Sequence, residues 1–278
     1  MLLGGGTPWL ACLFVALMAV ERAVPLRIRK RATFPRLVVN VTLTALVFVV
    51  GTFIVKRVGL GVAGWNETGG AGILGLFKAA PTLQACAGFL LMDLTFYWWH
   101  RLNHELPILW RFHIVHHADP DMDVSTSFRF QPGEVFLSSA FRAAQVALIG
   151  VGPATYLLYE VVFQAATMFH HSNVGLPLRV ERALNVAAVT PRMHGIHHSA
   201  VREETNSNYG TVFLWWDILH RTLNLRVPQG EVDIGVPALQ DPGDNRLGRL
   251  LSMPFVKQGE DWRYPDGRLS VTRAAPAA

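Results

Sequence analysis

The chain has 278 residues, of which 51% are hydrophobic and only 16% charged, against about a quarter charged in ordinary soluble domains. Its mean hydropathy is positive and its formal charge is +5, without the basic stripe that grips nucleic acid. Composition therefore points to a membrane protein, with a bilayer surface as its anionic neighbour and no nucleic-acid partner.

The first apolar run covers Pro8–Val20 and extends to Val24. The preceding MLLGGGT carries no positive side chain, and no small-x-small cleavage pattern follows. The run reads as a short transmembrane helix rather than a signal peptide. The next segment, residues 21–36, holds six Arg or Lys against one Glu. A second run, Leu37–Val55, is long enough to cross a bilayer. The glycine-rich stretch GLGVAGWNETGGAG, residues 59–72, then reads as a loop. A third run, Thr82–Trp99, ends at the first histidine. The stretch Val135–Phe169 is interrupted by GVGP at 150–153 and reads as two short helices joined by a tight turn. Beyond residue 171 the chain turns polar, proline-rich and irregular. Cys12 and Cys86 lie in apolar runs without a CxxC motif, so neither a disulfide nor a thiolate metal site is expected.

The positive-inside rule places the RIRKR loop in the cytoplasm. The second helix then leaves the cytoplasm and the third returns, bringing His100 to the cytoplasmic end. The 135–169 hairpin enters and comes back on the same side. All the histidine clusters are thus expected on one face.

Those clusters are unusual. His100 and His104 form an H-x3-H pair, which a helix presents on one face. His113, His116 and His117 form an H-x2-H-H triplet, His170 and His171 a pair, and His194, His197 and His198 a second triplet. Two such triplets by accident would occur in roughly one chain of this length in several thousand. Neutral imidazole is a strong ligand for iron, zinc, copper and nickel. Nine or ten imidazoles suffice for two metals with four or five ligands each. No Glu-x-x-His pair accompanies them, which separates this pattern from carboxylate-bridged di-iron bundles.

The segments DLTFYWWHRLNH, LWRFHIVHHAD, FHHSNV and TPRMHGIHHSAVREETNSNYG resemble the fatty acid hydroxylase and sterol desaturase superfamily, over roughly residues 85–225. LLSMPF, residues 250–255, is similar to the tail of bacterial members. The resemblance implies an all-α integral membrane bundle of four to five membrane helices with a cytoplasmic, histidine-rich dimetal cap, placed in a bacterial inner membrane. It implies N-terminal membrane helices over 1–80, a catalytic domain over 81–225 and a polar tail over 226–278. It implies two iron ions, replaceable by zinc on misloading, with O₂ as co-substrate. The reaction would hydroxylate or desaturate a C–H bond of a membrane lipid: fatty acyl, sterol-like or isoprenoid. His100, His104, His113, His116, His117, His170, His171, His194, His197 and His198 carry over as metal ligands. Gln131 stands where relatives have a histidine, in R-x-H-P, and is expected to tune the centre from outside the ligand set.

No flavin, nicotinamide or haem motif is present, so electrons must come from a ferredoxin- or cytochrome-type donor. Asp93 lies seven residues before His100, and a carboxylate inside a membrane helix is usually functional. It is expected to accept a hydrogen bond from a ligand N–H. Asn173, Asn208 and Tyr209 lie in family-like motifs and are expected beside the ligands as hydrogen-bond donors. Trp98, Trp99, Trp110, Trp215 and Trp216 are expected to anchor at the bilayer interface. Glu134 and His220 receive no chemical role. The rival enzyme reading is a carotenoid hydroxylase or ketolase. A rival of another class is a metal-binding or transport protein, which would place its ligands at mid-membrane.

Overall fold

The opening apolar stretches form α1 (Gly6–Ala23) and α2 (Thr33–Val50). The structure, a computed structural model, describes residues 6–51, 56–70, 72–257 and 259–270. Most of MLLGGGT, the end of the second apolar run at 52–55, and 271–278 of the polar tail lie outside the described residues. The central helices are α3 (Lys56–Glu67), α4 (Pro81–Glu105), α5 (Pro107–His117), α6 (Pro132–Ile149) and α7 (Pro153–His171). Short helices follow: α8 (Leu178–Leu184), α9 (Pro191–His197), α10 (Arg202–Thr205), α11 (Trp215–His220) and α12 (Leu247–Ser252). Among the described residues the only β pairing is isolated bridges. The chain is all-helical there, as expected. One described helix, Thr33–Val50, is long and apolar enough throughout to cross a membrane.

Three features position the histidines. α4 runs on past Trp99 and carries both His100 and His104 in its last turns. Pro107 then starts α5 at its first position, where a missing N–H costs nothing. The chain turns there and brings the first triplet back beside the pair. The α6–α7 hairpin forms as expected, with Gly150 in the left-handed region (φ 87°) closing α6 and Pro153 opening α7. α7 ends on His170 and His171.

The glycine-rich stretch departs from expectation. Much of it is helical, as α3, because packing overrides a weak local propensity. At Gly59 a Cβ would lie 2.3 Å from the Tyr156 hydroxyl, so glycine is what lets α3 press onto α7.

Two apolar cores flank the histidine region. One joins Leu43 of α2, Ile114 of α5, and Val236, Leu239 and Leu250 near the C-terminus. The other joins Ala63 of α3, Met92 of α4, Val146 of α6, and Tyr156 and Tyr159 of α7. The C-terminal region is thus packed onto α5 in spite of its polar composition. α2, though mostly apolar, buries Arg36 and Asn40 on one face. Arg36 donates to Asp119 at 2.7 Å and pairs with Asp123, while Asn40 donates to Asp119 at 3.1 Å. These bonds lock α2 to the loop that follows α5.

Candidate metal centre

Helical spacing sorts the histidines into two groups. In α5, His113 and His117 are four residues apart and share a face, while His116 points about 100° away from His117. In α9 and its cap, His194 and His198 share a face, and His197 points elsewhere. The structure turns this into a partition. The ring nitrogens of His100, His104, His113, His117 and His197 converge within 4.8 Å of one another, as do those of His116, His171, His194 and His198. Each triplet gives its i, i+4 pair to one group and its third member to the other. Eight of these nine histidines are buried, and His104 is partly so.

The outer ring nitrogens fix the tautomers. His100 Nδ1 faces the Tyr209 carbonyl at 2.8 Å and His197 Nδ1 the Ser207 carbonyl at 2.7 Å. His171 Nδ1 faces the Thr167 carbonyl at 2.8 Å, and His116 Nδ1 that of Arg129 at 3.3 Å. His113 Nδ1 faces Glu134 Oε1 at 2.7 Å. A carbonyl or carboxylate only accepts, so each Nδ1 carries the proton and donates. Each Nε2 is then a bare lone pair in the neutral ring. His116 Nε2 and His171 Nε2 nevertheless face each other at 2.9 Å. In the five-membered group, Nε2 of His104, His113, His117 and His197 is buried without a partner. Buried polar atoms left this way are costly. Convergent lone pairs need a cation, and a proton is disfavoured here. Burial, reinforced by neighbouring imidazoles, pushes His116, His117, His197 and His198 well below the ordinary histidine range. The nitrogen-only donor set fits a divalent transition metal in each group.

Aromatic rings wall the site. Phe130 stacks on His116 with centroids 4.5 Å apart. Trp110 packs against His104 and His117 at 5.1 and 5.5 Å. Tyr209 packs against His100, His104 and His197.

Comparison with known proteins places this arrangement. The family model described as fatty acid hydroxylase matches residues 85–222, which include every histidine of both groups. This segment belongs to the fatty acid hydroxylase family. Over 176 residues the chain is 30% identical to an ornithine lipid hydroxylase of Rhizobium tropici, covering 63% of this chain and 51% of the relative. It is 30% identical over 138 residues to the alkylglycerol monooxygenase of Homo sapiens, covering 49% of this chain and 29% of the relative. It is 30% identical over 137 residues to the human cholesterol 25-hydroxylase, covering 48% of each. The chain therefore spans about half the length of these relatives, or less. No solved structure matches it significantly.

Within the fatty acid hydroxylase segment, His170 stands apart. It lies outside both groups, facing the Thr211 carbonyl at 3.2 Å and packing on His194 at 4.0 Å. Asp93 also departs from expectation. It accepts from Trp216 Nε1 at 2.7 Å, from the Phe213 and Val212 N–H groups, and from the Tyr159 hydroxyl, with no histidine among these partners. Seven residues of helix span about 10 Å, so its reach ends in the 212–216 segment rather than at a ligand. Asn173 bonds the backbone of Arg27 in both directions and braces the α1–α2 connection, again away from the ligands.

Asn208 reaches the clustered histidines only through its chain neighbours. It sits in the left-handed region (φ 55°), a conformation Asn tolerates better than most residues. Its neighbours Ser207 and Tyr209 supply the carbonyls for His197 and His100. Its side chain ties the turn to the Met193 and Asn224 carbonyls. Gln131 caps α6 by accepting from the Gly133 N–H, and it donates to the Leu251 carbonyl at 3.4 Å. Trp110 is buried as a wall of the site and does not reach an interface.

Sequence reasoning passed over Glu134, which is buried and bonded to His113, and over Arg129. The Arg129 guanidinium binds the Val115 carbonyl, Asn40 and Asn245. Arg129 thereby fixes the strand of backbone whose carbonyl receives His116.

Proposed function

We propose that this chain is an O₂-dependent, non-haem di-iron enzyme that hydroxylates or desaturates a C–H bond of a membrane lipid. The observation that carries this reading is the partition of nine imidazoles into converging groups of five and four. The relatives named for lipid hydroxylation and monooxygenation support the substrate class. His100, His104, His113, His117 and His197 would hold one iron; His116, His171, His194 and His198 would hold the other. When bound, the pair supplies O₂ activation and the oxidation of an unactivated C–H bond.

The chain's own residues do the rest. The carbonyls of Thr167, Arg129, Ser207 and Tyr209, with Glu134, hold five rings in one tautomer with Nε2 facing inward. Phe130, Trp110 and Tyr209 exclude water around the rings. α1, α2, α4, α6 and α7 lie in the bilayer in this reading, with the histidine ends of α4 and α7 at the cytoplasmic face of a bacterial inner membrane. The lipid enters sideways from the bilayer, and a ferredoxin- or cytochrome-type donor docks from the cytoplasm.

The test is metal analysis of detergent-purified protein from iron-replete cells, paired with lipid profiling of those cells. About two irons per chain are expected, with oxidised or desaturated lipids that vanish when metal is lost. His116→Ala/His197→Ala removes one ligand from each group and lowers the iron content. A content of one metal or none, unchanged in that variant, would refute the dimetal reading.

A further inference from the structure

α8 and α11 are outside the five helices assigned to the bilayer, yet both expose large apolar side chains. α8 presents Leu178 and Val180, and α11 presents Trp215, Ile218 and Leu219, the last 66% exposed. The two regions adjoin. Trp215 Nε1 donates to the Val186 carbonyl at 2.9 Å, and Leu214 N–H donates to that of Ala187 at 2.9 Å.

Charge is sorted across this surface. Residues 178–188 and 211–222 contain two carboxylates, Glu181 and Asp217, and both are buried. Glu181 is bonded by Arg192. Asp217 accepts from the Tyr209 and Gly210 N–H groups and from the Thr222 hydroxyl. The three arginines of the same segments, Arg179, Arg182 and Arg221, are all exposed. What faces outward is apolar and cationic, with no acid. Water-facing surfaces mix both signs, whereas this composition suits the headgroup region of an anionic bilayer.

Depth agrees with this. The Phe213 ring lies 6.2 Å from Phe89, and Asp93 holds the 212–216 segment; both are mid-α4 residues. The segment leading into α11 therefore sits beside the apolar part of α4 rather than beyond its histidine end. The patch also continues onto α4, since His220 packs edge-on against the exposed Trp98 at 4.8 Å.

We propose that α8 and α11 form one lipid-interfacial surface, with Trp215, Ile218 and Leu219 in the acyl boundary and the three arginines on lipid phosphates. It rests on the reading of α4 as a membrane helix. The surface seats the metal centre at a fixed height over the bilayer.

The test places single cysteines at Leu219→Cys, at Leu90→Cys on α4 and at the exposed Glu203→Cys, each in a Cys12→Ser/Cys86→Ser background. Fluorophore-labelled protein goes into bilayers of phosphatidylcholine with or without phosphatidylglycerol. A label at 219 is expected to be quenched by lipid-borne quencher and shielded from iodide, like 90 and unlike 203. Arg179→Gln/Arg182→Gln/Arg221→Gln is expected to lose shielding at 219 chiefly in the anionic bilayer. A label at 219 as iodide-accessible as 203, with 90 still shielded, overturns the interfacial surface and leaves the membrane reading standing. Iodide access at 90 as well overturns both. A loss of shielding, from parent to triple variant, that is the same in the two bilayers, or no loss in either, overturns the anionic-headgroup assignment.

Discussion

His113 is the one candidate ligand whose outer nitrogen meets a carboxylate; the other fixed rings lean on carbonyls. A carboxylate partner raises ligand basicity and holds the ring's orientation, and removing such a partner typically costs about 10–100-fold in metal affinity. Glu134→Gln keeps an acceptor for the N–H, so about tenfold weaker retention is expected, and Glu134→Ala is expected to fall toward the upper end of that range. Chelator competition against the purified protein measures both, and unchanged retention in Glu134→Ala would rule out a supporting role. Much of the histidine convergence is legible in the sequence, because i, i+4 spacing on a helix has a fixed geometric meaning. Glu134 is not, since 21 residues and a loop separate it from His113. Asp93 misleads for the opposite reason. Its spacing puts it on the ligand face, but two helical turns away from any ligand.

At the level of elements, α3 shows where composition fails as a guide. Gly59 and Gly61 look equivalent in the sequence, and both lower helix propensity. Their surroundings differ, because a Cβ at 59 meets buried Tyr156 while one at 61 meets nothing within 4 Å. Gly61→Ala is expected to stabilise by about 0.5–1 kcal/mol through propensity alone. Gly59→Ala gains the same propensity and loses about 1–3 kcal/mol to overpacking, a net destabilisation. Thermal midpoints in detergent separate the two, and a raised midpoint for Gly59→Ala would disprove the close approach. The α6–α7 hairpin lies at the other extreme. Its GVGP turn and flanking apolar runs announce it fully, because glycine and proline act locally.

For the whole molecule, the buried imidazoles make stability depend on pH. His116, His117, His197 and His198 are held neutral in the fold, below their unfolded value of about 6.5. Below that pH the unfolded chain binds protons that the folded chain refuses, so stability falls as pH drops. Bound metal steepens the trend, because protons compete for the same nitrogens. The melting midpoint of the metal-free protein is expected to decline progressively from pH 7 to pH 5, and a flat profile would show that these rings charge freely in the fold. Metal loading is expected to raise the midpoint at pH 7.5, and chelation to reverse the gain. The overall all-helical class was readable from apolar runs. The packing of the C-terminal region onto α5 was not, because Val236, Leu239 and Leu250 lie in two short apolar stretches, IGVPAL and LLSMPF, separated by a polar segment and without a helical or strand period.

The division of each triplet between two groups means that a helix acts as the ruler of this centre. The gap between the two histidine groups is set by the girth of α5 and α9. Insertions in the connecting segments leave that gap alone. One residue added inside HIVHH, by contrast, rotates the downstream rings by about 100° and reassigns each histidine to the other group or to none.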